Sequence, residues 1–286
     1  MSFSRKVKEE LAKQFGKSRH CQIAELAGML ELDGMPGPSN TLLLSNENPL
    51  LQAKYERLCK TLFGECADVE TVMQTLHWDR MPYAAQPLPM RRADGMLVQQ
   101  TCCKRAFIRG AFMAAGSMSD PNKSYHFEIV CHTMEQAVQL QALMESFGTQ
   151  PKIVARKERE VVYLKEGEQI VDMLNVMEAY VALMDLENVR ILKEMRNSVN
   201  RKVNCETANI NKTVNAAVKQ MEDIKRIRDT IGFAGIPAPL AEIAQARLDY
   251  PEATLKELGT YLDPPVGKSG VNHRLKKLAA IAENLG

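Results

Sequence analysis

The chain has 286 residues, 45% hydrophobic and 25% charged, with a formal net charge of +2, the make-up of an ordinary soluble protein long enough for two domains and a connector. Its seven cysteines, at positions 21, 59, 66, 102, 103, 131 and 205, are odd in number and lack Cys-x-x-Cys spacing, so neither a zinc site nor a disulfide framework is expected. The opening Met1-Ser-Phe-Ser-Arg-Lys-Val-Lys-Glu-Glu10 has no apolar signal core and no run of about 18 apolar residues occurs, so the expected compartment is the reducing cytoplasm, without membrane contact.

The near-neutral total hides a gradient. Residues 1–185 hold 21 Lys and Arg against 23 Asp and Glu, whereas residues 186–231 hold 10 against 6. In chain order, Val7, Leu11 and Phe15 put a small apolar face on a short first helix. Next comes Leu26-Ala-Gly-Met-Leu-Glu-Leu-Asp-Gly34, a helix whose Ala24, Ala27 and Gly28 allow a partner helix to approach closely; Glu31 is expected on its surface. A similar segment returns as Ile108-Arg-Gly-Ala-Phe-Met-Ala-Ala-Gly116, with Gly28 and Gly110 separated by 82 residues. Leu58 to Gly64 is echoed by Leu140 to Gly148 at nearly the same offset, which indicates an internal duplication. Each half is expected to run helix, strand, helix, strand pair. The strand and second helix are placed at 41–45 and 50–63 in the first half, and at 125–131 and 134–147 in the second. The closing strands at 152–157 and 161–165 are mirrored at 68–77. Residues 81–92 contain three prolines and read as a linker.

Residues 166–231 are helical in pattern. Ile210, Val214, Ala217, Met221, Ile224 and Ile231 form one stripe on a helix of about two dozen residues, entered through the polar stretch 196–204. That stretch is open to two readings, a nucleic-acid or partner contact and a solvated turn. Gly232, Gly235, Pro237 and Pro239 then form an expected hinge. Leu240, Ile243, Ala244 and Leu248 give one short helix, and Leu255, Leu258 and Leu262 a second, opened by Thr254 as N-cap and stopped by Pro264 and Pro265. The third helix starts in Lys268-Ser-Gly-Val-Asn-His-Arg-Leu-Lys-Lys-Leu278. Its apolar positions Val271, Leu275, Leu278, Ala282 and Leu285 are spaced four, three, four and three, a stripe committed to packing. The other face carries Lys268, Ser269, Asn272, His273, Lys276 and Lys277, with Arg274 at its edge, and no acidic residue occurs between Lys268 and Ala282. Three short helices with tight turns form a helix-turn-helix unit with the third in the recognition position. The expected roles are base readout for Asn272 and His273 and phosphate contact for Lys268, Lys276 and Lys277; Arg274 suits either. Gly267-Lys268-Ser269 mimics the tail of a phosphate-binding loop, but the required upstream glycine is replaced by Leu262, so no nucleotide site is expected.

With both repeats in view, Leu26 to Gly34 resembles the LAGLIDADG motif of homing endonucleases, and the duplication is similar to their two-repeat fold. The resemblance implies that an acidic residue before the last glycine of each motif helps hold a divalent metal for phosphodiester cleavage. Asp33 fills the first such position; Ala115, beside Ala114 and Gly116, fills the second, so the paired carboxylate is missing. Such a degenerate domain, followed by a helical connector and a helix-turn-helix, closely resembles the bacterial WhiA family. The opening Ser2 to Leu11, the stretch Arg201 to Lys212 and Lys268 to Leu278 carry that resemblance. It implies an α+β chain: a duplicated LAGLIDADG-like domain over residues 1–185, a helical connector over 186–231 and an all-α helix-turn-helix domain over 232–286. It further implies a non-enzymatic regulator, cytoplasmic and nucleoid-associated, without cofactor, that binds double-stranded DNA and is tied to cell division, chromosome segregation and, in relatives, sporulation. A protein partner is also implied, in actinobacterial relatives an iron–sulfur regulator of the WhiB family. Two other classes compete: an interaction protein whose degenerate domain binds a cell-division partner, and an active nuclease, which Ala115 and the acidic N-terminal region disfavour.

Overall fold

The computed structural model describes residues 2–64, 68–78 and 91–285, so Cys66 and most of the expected linker at 81–92 lie outside the described residues. Packing divides the chain into two compact units, residues 1–194 and 195–286. The first contains helices α1 (Phe3–Lys13), α2 (Arg19–Asp33), α3 (Pro49–Phe63), α4 (Val69–Thr75), α5 (Thr101–Ala115), α6 (Met134–Glu145) and α7 (Gly167–Met177), and the start of α8 (Tyr180–Thr230). Its strands are β1 (Gly34–Pro36), β2 (Leu42–Leu44), β3 (Gly116–Met118), β4 (Phe127–Cys131), β5 (Lys152–Arg156) and β6 (Arg159–Leu164). Strands β1 and β2 make a hairpin; the other four form an antiparallel sheet in the order β3-β4-β6-β5.

Local chemistry explains most boundaries. Ser2 caps α1 through Arg5 N–H, and Val7 and Leu11 are fully buried as their spacing requires. Asn48 caps α3 ahead of Pro49, and Thr133 with Gln136 forms a capping box on α6. Strand β4 alternates buried and half-buried residues, the period of a sheet covered on one face. One expected strand is absent: residues 68–77 mostly form α4. Asp68 accepts from Thr71 N–H at 2.9 Å and from Thr71 Oγ1 at 2.9 Å, an N-cap that commits the segment to a helical start. The strands β1 and β3, three residues each, have no counterpart among the expected elements.

The duplication is exact in its central elements: α2 and α5 have 15 residues each, start 82 positions apart, and are each followed directly by a three-residue strand. The two helices meet backbone to backbone. A Cβ placed on Gly28 would stand 2.4 Å from Phe107 O, and one on Gly110 would stand 2.1 Å from Glu25 O. Asn46 ties their C-terminal ends together, donating its N–H to Asp33 Oδ2 at 3.0 Å and its Nδ2 to Ala114 O at 3.2 Å. Beside the crossing, Glu25 is fully buried and pairs with Lys54 Nζ at 2.6 Å and Arg109 Nε at 2.9 Å, while Arg109 Nη1 also reaches Glu178 at 2.7 Å.

Glu31, expected on the helix surface, is buried at 1% exposure and accepts from Ala93 N–H at 2.7 Å. The burying segment lies 62 residues downstream, which is why helical periodicity alone misplaces it. Burial pushes the Glu31 carboxyl up to about 8, against the opposing pull of the Ala93 N–H. A carboxyl whose pKa rises on folding holds its proton better in the folded chain, so stability falls as pH rises from the unfolded value toward 8. Glu31→Gln removes that loss. In denaturant melts the variant should match the wild type near pH 5 and gain on it by about 1.4 kcal/mol per pH unit up to pH 8. A constant difference across that range would refute a protonated Glu31.

The second unit contains the rest of α8 with α9 (Ala238–Asp249), α10 (Leu255–Thr260) and α11 (Lys268–Asn284). The two units meet in sequence within α8, between residues 194 and 195. Ile224 and Ile227 of α8 are fully buried in one cluster with Leu240, Ile243, Leu258, Val271, Leu275 and Leu278, so the end of the helix belongs to the C-terminal core. Stretch 196–204 is neither turn nor separate entry but part of α8, and Ile210, Val214 and Ile231 of the expected stripe are exposed, Ala217 and Met221 half-buried and Ile224 buried. Among the described residues, no helix is long and apolar enough to cross a membrane.

Candidate nucleic-acid interface

Helix α10 opens on a capping box: Thr254 Oγ1 accepts from Glu257 N–H at 3.3 Å and Glu257 Oε2 accepts from Thr254 N–H at 2.8 Å. Arg247, buried on α9, donates to Ala253 O at 2.7 Å and so fixes the preceding turn. The turn into α11 is held by Val266 N–H donating to Gly259 O at 2.9 Å, and by Glu242 Oε1 accepting from Asp263 N–H at 2.7 Å. Glycine is required at 259 because a Cβ there would lie 2.0 Å from Val266 O. Val271, Leu275, Leu278 and Ala282 are all buried, which fixes the rotation of α11 about its axis.

That rotation leaves Lys268, Ser269, Asn272, His273, Lys276 and Lys277 exposed on one basic face. Arg274 is set apart from them. It is half-buried, with Nη1 3.4 Å from Pro239 O and 3.7 Å from Glu242 Oε2, so its guanidinium is turned toward α9. The N-cap of α11 is Gly267, which has no side-chain acceptor, and its first turn holds no acid; the N–H groups there suit an anion. Lys268 and Asn272 also line a groove of roughly 500 Å³ together with Lys212 of α8 and Lys256 of α10. Sequence reasoning missed both lysines. The signal available was three lysines in three helical segments, but nothing in the spacing joins α8 to the N-terminal end of α11.

The degenerate nuclease positions lie in the first unit. Asp33 is the last residue of α2, and both its oxygens are engaged: Ser45 Oγ donates to Oδ1 at 2.5 Å and Asn46 N–H to Oδ2 at 3.0 Å. Burial raises its pKa while these bonds and the Lys8 ammonium oppose the rise. Ala115 ends α5 at the equivalent position and offers only a methyl group. A two-carboxylate clamp for a divalent ion needs hard oxygen ligands from both motifs, and here one motif supplies none.

Comparison with known proteins agrees with this layout. The family profile described as the WhiA C-terminal HTH domain matches residues 199–282, and the WhiA LAGLIDADG-like domain matches residues 104–196. A protein of Lachnoclostridium phytofermentans named "Probable cell division protein WhiA" is 51% identical, covering 100% of this chain and 99% of its own. Proteins of the same name from Alkaliphilus oremlandii and Lachnospira eligens are each 45% identical, over 100% of this chain and 98% of theirs. The crystal structure of full-length DUF199/WhiA from Thermatoga maritima superposes with a TM-score of 0.62 at 24% identity, covering 100% of this chain and 99% of that one, which speaks for a shared fold.

Proposed function

This chain belongs to the WhiA family, and from that premise we propose that it is a sequence-specific DNA-binding transcription regulator acting in cell division and chromosome segregation, without nuclease activity. The observation that carries the reading is the face of α11, where packing of Val271, Leu275 and Leu278 turns Asn272, His273, Lys276 and Lys277 outward together. A recognition helix in the major groove presents its early residues to base edges and its flanks to phosphates. Asn272 and His273 then read bases, and Lys268, Lys276 and Lys277 meet the backbone, with Lys212 and Lys256 extending the phosphate contacts. Arg274, held toward Glu242, serves the packing of α9 on α11 more than readout. The working place of such a protein is the nucleoid.

The test uses the full chain and a duplex selected from random sequence for tight binding. Asn272→Ala should cost roughly 1 to 3 kcal/mol on the selected site and relax specificity at one position, whereas Lys276→Ala should weaken all duplexes alike and lower the salt slope by about one unit. If neither substitution changes affinity across the salt titration, α11 is not the reader and the assignment passes to the basic stretch 196–202.

The degenerate motif supports the second half of the proposal. With Asp33 committed to Ser45 and Asn46 and with Ala115 opposite, magnesium or manganese should promote no cutting of any duplex. Cleavage by the wild type that disappears in Asp33→Ala would reverse this conclusion.

A further inference from the structure

The two central helices begin, as they end, in matching positions. His20 and Cys21 are the second and third residues of α2, and Cys102 and Cys103 are the second and third of α5. The offset of 82 that relates Gly28 to Gly110 therefore also relates these two pairs. Because α2 and α5 pack in the same direction, their first turns meet, and one ligand atom from each of the four residues lies within 4.8 Å of all the others. His20 Nδ1 stands 3.1 Å from Cys103 Sγ, 3.4 Å from Cys21 Sγ and 4.0 Å from Cys102 Sγ. In a tetrahedral zinc site, with Zn–S near 2.3 Å and Zn–N near 2.0 Å, neighbouring ligand atoms stand about 3.5 to 3.8 Å apart. The three separations bracket that range, and shifts of side chains alone would close the difference.

We propose that His20, Cys21, Cys102 and Cys103 form a zinc site of the one-imidazole, three-thiolate type that joins the first turns of α2 and α5. The electrostatics of the location suit thiolates. Two helices running side by side place two partially positive N-termini together, and neither is relieved by a capping side chain, since Ser18 and Gln100 make no such bond. Three thiolates this close together repel one another unless a cation stands between them. Burial, followed by the neighbouring thiols, pushes Cys21 up to about 12 and raises Cys103 as well. A divalent ion reverses this balance: the thiols release up to three protons to solvent as the sulfurs bind. The donor set is soft, three sulfurs and one imidazole nitrogen, which selects zinc over magnesium or calcium. Cys103 is buried and Cys21 half-buried, while His20 and Cys102 are exposed, so the ion has a way in. The bound metal would cross-link the two repeats at the end of the helix pair opposite Asp33 and Ala115.

The experiment uses the full chain, purified under a non-chelating reductant, with cobalt(II) as an optical stand-in that zinc then displaces. One cobalt per chain is expected, with the intense visible bands of tetrahedral thiolate coordination, bleached by one equivalent of zinc. Loss of groups that only orient a ligand weakens metal binding about 10- to 100-fold, so loss of a ligand should cost at least 100-fold. Cys102→Ser and His20→Ala change exposed positions and should lower affinity by that factor; Cys205→Ser, exposed on α8, should leave it unchanged. Zinc should raise the melting temperature of the wild type and of Cys205→Ser, but not of the two ligand variants. Absence of the cobalt bands in the reduced, folded chain, or equal affinity in Cys102→Ser and His20→Ala, would overturn the proposal.

Discussion

Gly110→Ala should strongly destabilise the first unit. The added methyl would stand 2.1 Å from Glu25 O, a backbone atom in the middle of α2 that no side-chain rotation can move away. The helices must separate, and with them Ala24, Ala27, Phe107, Ala111 and the rest of the buried seam lose close contact. Overpacking of this kind costs about 1 to 3 kcal/mol where neighbours can yield, and more where only backbone can; about 3 to 5 kcal/mol is expected here, which lowers the melting temperature by roughly 10 °C in a unit of this size. Gly28→Ala meets Phe107 O at 2.4 Å and should behave alike, whereas Gly95→Ala, with open space around it and an ordinary φ, should be neutral. A Gly110→Ala melt that coincides with that of Gly95→Ala would show that the helices do not cross at these glycines.

Glu25→Gln should be comparably severe for an electrostatic reason. The carboxylate is the shared counter-ion of Lys54 and Arg109, all three buried, and Arg109 has a second partner in Glu178. An amide of the same size can still accept a hydrogen bond but leaves the Lys54 ammonium, also bonded to Leu11 O at 2.5 Å, without a counter-ion, and leaving a buried charge unpaired costs about 3 to 5 kcal/mol. The pH dependence identifies the cause. Burial already holds the Lys54 ammonium below its usual pKa, with Glu25 opposing that shift, so removing Glu25 lowers it further. A lysine with a folded pKa below its unfolded one favours the neutral form when folded, and stability rises with pH between the two values. The deficit of Glu25→Gln should therefore shrink from pH 7 to pH 10, and Glu25→Gln combined with Lys54→Met should recover part of the loss at pH 7. A deficit independent of pH, with no recovery in the double variant, would place the cost in packing.

The features legible in the sequence are those with a period or an offset. Gly28 and Gly110 announce the helix pair because close approach leaves no alternative residue, and the spacing of Val271, Leu275, Leu278 and Ala282 fixes which face of α11 remains free. What escaped depends on contacts between distant residues or on very short elements. Three-residue strands such as β1 and β3 show no alternation to detect. The α4 segment follows from one capping aspartate, whose effect is not periodic. Glu31 looks like a surface residue until Ala93, far along the chain, covers it. The cysteines appear scattered because their pairing runs between repeats, at the same offset of 82 that the glycines display. In the candidate interface, Arg274 shares the sequence character of its neighbours, and only the location of Glu242 on α9 separates it from them.

The ion pair between Glu25 and Arg109 spans 84 residues of chain and has a consequence for the moments just after synthesis. Translation proceeds at about 5 to 20 residues per second, so α2 waits on the order of 4 to 17 s before α5 has been made. During that interval the first repeat holds a carboxylate without its guanidinium and a glycine-lined helix face without its mate. It cannot complete its core one repeat at a time, as stacked repeat proteins do by adding units to a finished neighbour. The face lined by Gly28 therefore stays open until Ala115 clears the ribosomal tunnel, and folding of the first unit is paced by elongation more than by the intrinsic speed of its helices.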